Sequence, residues 1–268
     1  MHSHRHPIRM TVAVLATVLL ALAAPAAPTD EAKGLLDKLT KLFDRAPLRI
    51  NWTMEINVPI GEGTMASTGQ GEQLYADPNH QKLDLSMTMS SPQGEMKMTM
   101  KSVYDGSAMW TEMAMPKMGM RQVSRASLDV VHSLGEAAQE AQSMDPRAMI
   151  ERLFRVVQFE VVGRDEGKIT LEGPLTAEVA KSLNFGSAPG MDLTDARIRL
   201  SLDSGNGQPR EMSVLSGGSP LISMHYGDIE FVDRDSLPAG TFSYSPPDGI
   251  QVNDMDEMLK KMAAKDGE

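Results

Sequence analysis

The chain has 268 residues, no cysteine, 26 Lys+Arg against 36 Asp+Glu, and a formal net charge of -10. The missing cysteine excludes a disulfide framework, a thiol nucleophile and a cysteine-held zinc or iron–sulfur site, and the acidity argues against non-specific nucleic-acid binding. The 41% hydrophobic fraction excludes a wholly disordered chain, yet aromatics supply only 4% while Met fills 22 positions.

Residues 1–26 read as a secretory signal peptide. Arg5 and Arg9 mark a basic start, Thr11 to Ala24 is apolar, and Ala24-Pro25-Ala26 offers the small-x-small cleavage pattern. The apolar run is shorter than the ~20 residues a spanning helix needs. Cleavage is expected near Ala26. With no cysteine at the junction there is no lipid anchor, so the remainder is expected to be periplasmic or secreted. Residues 27–268 are read as a single domain.

A helix is predicted from about Thr29 to Phe43. Leu35, Leu36, Leu39, Leu42 and Phe43 fall on one stripe, Thr29 or Asp30 can cap it, and Ala46-Pro47 ends it. The period then switches to two. Trp52, Met54, Ile56 and Val58 alternate with polar residues, as do Leu83, Leu85, Met87 and Met89, then Met96, Met98 and Met100, then Met109, Met113 and Met115. These are strands with one apolar and one solvated face, the mark of an antiparallel sheet. Turn residues separate them, and Asp105-Gly106 is the strongest hairpin signal.

A helical insert is predicted at about 124–154, with Asp145-Pro146 opening its second piece. Strands resume at Val157, Phe159 and Val161, at Ile169 and Leu171, at Ile198, Leu200 and Leu202, and from Arg210 to Leu215. A short helix is placed at Thr176 to Leu183 and a small-residue loop at Asn184 to Asp192. Ile222, Met224 and Tyr226 share a parity that shifts at Ile229 and Phe231, which predicts a bulge near Gly227-Asp228. A last strand around Phe242 to Tyr244 and a C-terminal helix at about 253–264 complete the pass. The sum is an α+β fold: a large curved antiparallel sheet of about 10–11 strands, an unclosed half β-barrel covered on its concave face by helices.

So wide an apolar face with so few helices implies a hydrophobic cleft. Met suits its lining, because the side chain is unbranched, polarizable and adaptable. The expected lining is Trp52, Met54, Ile56, Leu83, Leu85, Met87, Met89, Met96, Met98, Met100, Met109, Met113, Met115, Phe159, Ile198, Leu200, Ile222, Met224 and Tyr226.

Two motifs add a family resemblance. Val103-Tyr104-Asp105-Gly106-Ser107-Ala108-Met109-Trp110 resembles the hairpin of LolA/LolB-like lipoprotein-carrier proteins. Phe242-Ser243-Tyr244-Ser245-Pro246-Pro247-Asp248-Gly249-Ile250-Gln251-Val252 is similar to that superfamily's closing strand and turn. The order of elements over about residues 30–255 follows the same plan. The resemblance implies an unclosed β-barrel that holds acyl chains, in the bacterial envelope. The segment Asp77-Pro78-Asn79-His80-Gln81-Lys82 lacks the Arg that helps such carriers open and close, so no gating residue is carried over.

The function expected is binding of a hydrophobic ligand (a lipid, an acyl chain or a lipoprotein) by a carrier-like protein. Its partners would be a lipid or acylated protein, with an inner- or outer-membrane protein as a further one, no nucleic acid, and a monomeric chain. Two alternatives stand beside it. One is an envelope copper-binding protein, since Met96-Lys97-Met98-Thr99-Met100 and Met113-Ala114-Met115-Pro116-Lys117-Met118-Gly119-Met120 resemble Met-motif copper sites and thioethers suit Cu(I). The other is a sensor or partner-binding module on the same fold. No catalytic motif occurs, no cofactor is implied, and neither Asp203-Ser204-Gly205-Asn206-Gly207 nor the scattered His80, His132 and His225 is read as a metal site.

Overall fold

The structure, a computed structural model, describes residues 30–60, 63–91, 94–133, 145–182 and 195–266. The expected signal peptide and the loop at Asn184 to Asp192 lie outside the described residues.

Helix α1, Asp30–Phe43, opens the described chain with Asp30 and Glu31 in its first turn, where carboxylates offset the positive helix terminus. Its buried stripe is Ala32, Leu35, Leu39, Leu42 and Phe43. Six strands follow: β1 (Leu48–Ile60), β2 (Gly63–Asp77), β3 (His80–Ser91), β4 (Gly94–Asp105), β5 (Ala108–Met115) and β6 (Met120–Ser127). Helices α2 (Leu128–Ser133) and α3 (Pro146–Val156) come next, then β7 (Glu160–Asp165), β8 (Lys168–Pro174) and helix α4 (Ala177–Ser182). Strands β9 (Arg197–Asp203), β10 (Pro209–Ser216), β11 (Ser219–Tyr226), β12 (Glu230–Phe231) and β13 (Val252–Asp254) precede helix α5 (Asp256–Asp266).

All the strands among the described residues join one 13-stranded sheet, in the order β13-β6-β5-β4-β3-β2-β1-β11-β10-β9-β8-β7, with β12 added to β1. Every pairing is antiparallel except β13 with β6. The sheet is open, curved and mostly antiparallel, with helices on its apolar face, as the alternation implied.

Local chemistry explains the expected turns. Asp105 accepts hydrogen bonds from the Ser107 and Ala108 N–H groups, and Gly106 takes the left-handed φ of 90° that the hairpin needs. Burial pushes the Asp105 carboxyl's pKa up, but these bonds, with others from the Ser107 hydroxyl and the Trp110 indole, outweigh it and hold the pKa below the usual value. Asp145 caps α3 by accepting from the Arg147 and Ala148 N–H groups, with Pro146 at the first helical position. The bulge is present too. Between the pairs Trp52↔Tyr226 and Arg49↔Glu230, β1 advances three residues while its partner advances four, and the Gly227 N–H donates to the Asn51 carbonyl at 2.8 Å.

Three expectations change. Residues 124–127, placed in the helical insert, belong to β6. The strand expected around Phe242 to Tyr244 is not a strand. The Thr241 and Ser243 N–H groups bond locally to Pro238 and Gly240, Pro246 and Pro247 offer no donor, and the rings of Phe242 and Tyr244 dock on His80 and Trp110. The closing pairing falls instead at β13, parallel to β6, so the C-terminal helix begins at Asp256 rather than about 253.

Among the described residues, two clusters form the core. The larger joins α1 (Leu35, Leu39, Leu42, Phe43), α3 (Leu153, Phe154) and Phe159 to Leu48, Ile50, Leu171, Ile198, Leu200, Leu202 and Val214 of the sheet. The smaller joins Val130 and Val131 of α2 and Leu259 of α5 to Ala126 of β6. The helices therefore cover the two flanks of the apolar face. Among the described residues, no helix is long and apolar enough to cross a membrane.

Candidate functional site

Residues directly opposite in an antiparallel ladder share a face. The register therefore gathers the expected lining. One row runs Tyr226–Trp52–Gly71–Leu85–Met100–Met113 across β11, β1, β2, β3, β4 and β5. The next runs Met212–Met224–Met54–Gly69–Met87–Met98 from β10 to β4. A third contains Ile222, Ile56, Ser67, Met89 and Met96. Leu83 is two residues from Leu85 on the same face, and Met115 two from Met113.

These side chains do not share one environment. Ile198 and Leu200, on the same face at β9, and Phe159, just before β7, are sealed in the core beneath α1 and α3, each no more than 4% exposed. Trp52, Ile222 and Tyr226 pack on the margin of that core. Met109 packs against the smaller cluster. Met54, Leu83, Leu85, Met87, Met89, Met96, Met98, Met100, Met113, Met115 and Met224 remain half-buried. They lie between the two flanks that the described helices cover.

Strand β2 sets the relief of that region. A side chain at Gly71 would run into the Trp52 indole, 2.2 Å away, and one at Gly69 would meet Met87 Cγ at 3.2 Å and Met54 Cε at 3.6 Å. Glycine thus lets Trp52, Met54 and Met87 fold over β2 from both sides. Sequence reasoning named neither glycine. It also missed Met65 and Met212, which share the face. The alternation Gly69-x-Gly71 was the available signal.

The opposite face is polar and contains a hollow of about 900 Å³. Its polar lining comes in rows from Asn51, Glu72, Asp84, Lys101 and Glu112, and from His225, Thr53, Gln70, Ser86 and Thr99. Only Trp52, Leu85, Met100 and Tyr226 of the expected lining border it, as the row lying between those two. The strap from β12 to β13 closes one side of this face. Tyr244 donates to Glu112 at 2.7 Å, and Arg121 pairs with the same carboxylate at 2.6 Å. Burial raises the Glu112 pKa, but the bonds from Tyr244 and Arg121 outweigh it and the net shift is downward. Burial and then the Glu112 carboxylate push the Tyr244 phenol up. On the apolar face, burial alone pushes the Tyr226 phenol up to about 12, so it stays neutral.

The arrangement offers apolar contact on one face and hydrogen bonding on the other. Among the described residues, no group of three or more His, Asp or Glu side chains stands close enough to hold a metal ion. The copper-like segments split: Met96, Met98, Met100, Met113 and Met115 join the half-buried face, while Met118 and Met120 stand 58% and 44% exposed at the β5–β6 turn.

No protein-family model matches the chain, and no curated protein matches it. Solved structures do. The chain is similar to LprF from Mycobacterium bovis, with 11% identity over 80% of this chain and 100% of that one, at a TM-score of 0.45. It is similar to a LolA superfamily protein from Nitrosomonas europaea, at 13% identity, 80% and 97% coverage and a TM-score of 0.28. It is also similar to a chain of the Pseudomonas aeruginosa MucA/MucB complex, at 15% identity, 81% and 67% coverage and a TM-score of 0.33.

Proposed function

We propose that this protein is a periplasmic, carrier-like binder of a hydrophobic ligand, an acyl chain of a lipid or of an acylated protein. The single observation that carries the reading is the half-buried Met surface between the helical flanks. A soluble domain gains by burying such a surface, and here the fold leaves it accessible. Association needs no covalent step. Each Å² of apolar surface removed from water contributes about 25 cal/mol, and thioether side chains re-pack around flexible chains at small cost. The proposed lining is the expected set without Phe159, Ile198 and Leu200, which already have core partners. Gly71 and Gly69 keep the floor low, and Trp52 with Tyr226 forms the wall toward the core. The mature chain would begin near residue 27 and act as a monomer.

The test uses the chain purified from its own envelope. Native mass spectrometry is expected to show a co-purified adduct of lipid mass, and a fluorescent acyl probe is expected to bind the delipidated protein. Met87→Ser/Met98→Ser is expected to weaken the probe while leaving the fold intact. Protein that is free of adduct and ignores both probe and added lipid would remove the reading.

A further inference from the structure

One corner of the apolar face holds more sulfur than a hydrophobic surface requires. Met87 stands opposite Met98, Met89 opposite Met96, and Met115 opposite Met120. Thr99 faces Ala114, so one step further along β4 Met98 stands level with Met115. Met87, Met98, Met115 and Met120 therefore form a line across β3, β4, β5 and β6. Directly opposed residues have Cβ atoms roughly 4.5–5.5 Å apart, a separation that flexible thioethers bridge onto one ion. The β5–β6 turn joins Met115 to Met120 at the end of this line. Pro116 to Met118 forms a single 3₁₀ turn, and Gly119 takes a φ of 64° with its N–H bonded to the Pro116 carbonyl. Met118 is carried on that turn, 58% exposed.

We infer that Met98, Met115, Met118 and Met120 form a binding site for a soft monovalent cation, Cu(I). Neutral thioethers prefer soft ions and discriminate against Mg(II), Ca(II) and other hard cations, which demand oxygen. Met115 and Met120 face each other across the last rung of the hairpin, Met98 supplies a third sulfur from the neighbouring strand, and Met118 meets the ion from solvent. The nearby positive charges are engaged elsewhere. Arg121 is held by Glu112 on the polar face, and Lys117 donates to the Glu95 carbonyl at 2.5 Å. Lys97, opposite Thr88, has the parity of the polar face. Binding changes no oxidation state, and the ion simply exchanges weakly held water or carrier ligands for sulfur. The site shares Met98 and Met115 with the proposed acyl-binding surface and takes Met118 and Met120 from the exposed edge outside it.

The experiment titrates the full chain anaerobically with Cu(I) against a chromophoric Cu(I) chelator, and repeats the titration in air with Ag(I). The wild-type chain is expected to withhold one ion per chain from the chelator. Met118→Leu/Met120→Leu keeps the volume and apolar character, lies outside the proposed acyl-binding lining, and is expected to weaken binding by at least the roughly tenfold that loss of an outer-shell partner alone costs a metal site. Met65→Leu, on the same face at β2, is expected to change nothing. A wild-type chain that leaves the chelator untouched overturns the proposal. So does a double variant that binds as tightly as wild type, or a Met65→Leu loss equal to that of the pair. Acyl-probe binding by the same leucine variants is expected to persist, which separates failure of the metal site from failure of the lipid reading.

Discussion

The two halves of the apolar face make the instructive comparison. Beneath α1 and α3 the sheet presents Leu48, Ile50, Leu171, Ile198, Leu200, Leu202 and Val214, all buried. From Met54 of β1 across to β5 it presents Met54, Leu85, Met87, Met98, Met100 and Met113, all half-buried. The alternation is the same on both sides. The difference is in shape: branched and aromatic side chains have few rotamers and suit a fixed partner, while Met suits a partner that varies. The half with rigid side chains holds the fold, and the half with flexible ones is the surface we propose takes a ligand.

Substitutions test that division. The largest effect is expected at Phe159, which packs with Phe154 at a ring-centroid distance of 4.9 Å. Phe159→Ala should cost about 3–5 kcal/mol in urea unfolding, the usual loss for a buried ring. Met87→Ala, on the other half, should cost much less, since a half-exposed side chain leaves no closed cavity. Equal losses at the two sites would break the comparison.

Gly71→Val comes next. Its side chain would occupy the place of the Trp52 indole, so overpacking of about 1–3 kcal/mol is expected, with a changed tryptophan emission spectrum as the direct readout. An unmoved Trp52 emission would show that the ring does not depend on the glycine.

Asp145→Ala removes the cap of α3, and a loss of about 1 kcal/mol is expected. This carboxyl is also shifted in the opposite direction to Asp105, Glu112 and Glu172. Burial raises the Asp145 pKa, and the Arg147 and Ala148 N–H groups offset that only in part. Its unfavourable ionisation is felt as pH rises through the upper carboxylate range. Asp105, Glu112 and Glu172 are shifted downward. At each, burial is the largest influence and acts upward, but hydrogen bonds and, at the glutamates, arginine partners outweigh it. Their stabilisation is present above the ordinary carboxylate range and is lost as pH falls through their lowered pKa values. Acid unfolding followed by circular dichroism should therefore lose the native state below the usual carboxylate range. Asp105→Asn should flatten that acid limb, and Asp145→Asn should not.

The smallest effect is expected from Met98→Leu, under about 1.5 kcal/mol because volume and polarity are kept. A larger loss would mean that this half is packed as tightly as the other, and the ligand reading would lose its ground.

The strands that the sequence left unseen show where period-two reading stops. β2 points Ser67, Gly69, Gly71 and Gln73 at the apolar side, and β6 points Gln122, Ser124 and Ala126. Neither strand alternates in hydropathy, because neighbouring side chains cover small residues there. β12 and β13, at two and three residues, are too short to carry a period. β1, β3, β4 and β5 were nonetheless legible, since they alternate cleanly and their turns carry Asp-Gly or Pro-Asn chemistry.

The face assignment of every expected lining residue on a strand followed from sequence parity alone, because successive strand side chains point to opposite sides. So did the caps of α3 and the Asp105 hairpin, which depend on neighbours within a few residues. Only the tertiary structure decided which part of that face is sealed. Coverage depends on where α1 and α3 land, which is a long-range contact with no local signature. It placed Phe159, Ile198 and Leu200 inside the core and left the methionines at the surface. It also turned the Met-rich stretch of the composition into two things, a half-open apolar surface and a sulfur-rich corner, because only strand register sets which methionines meet.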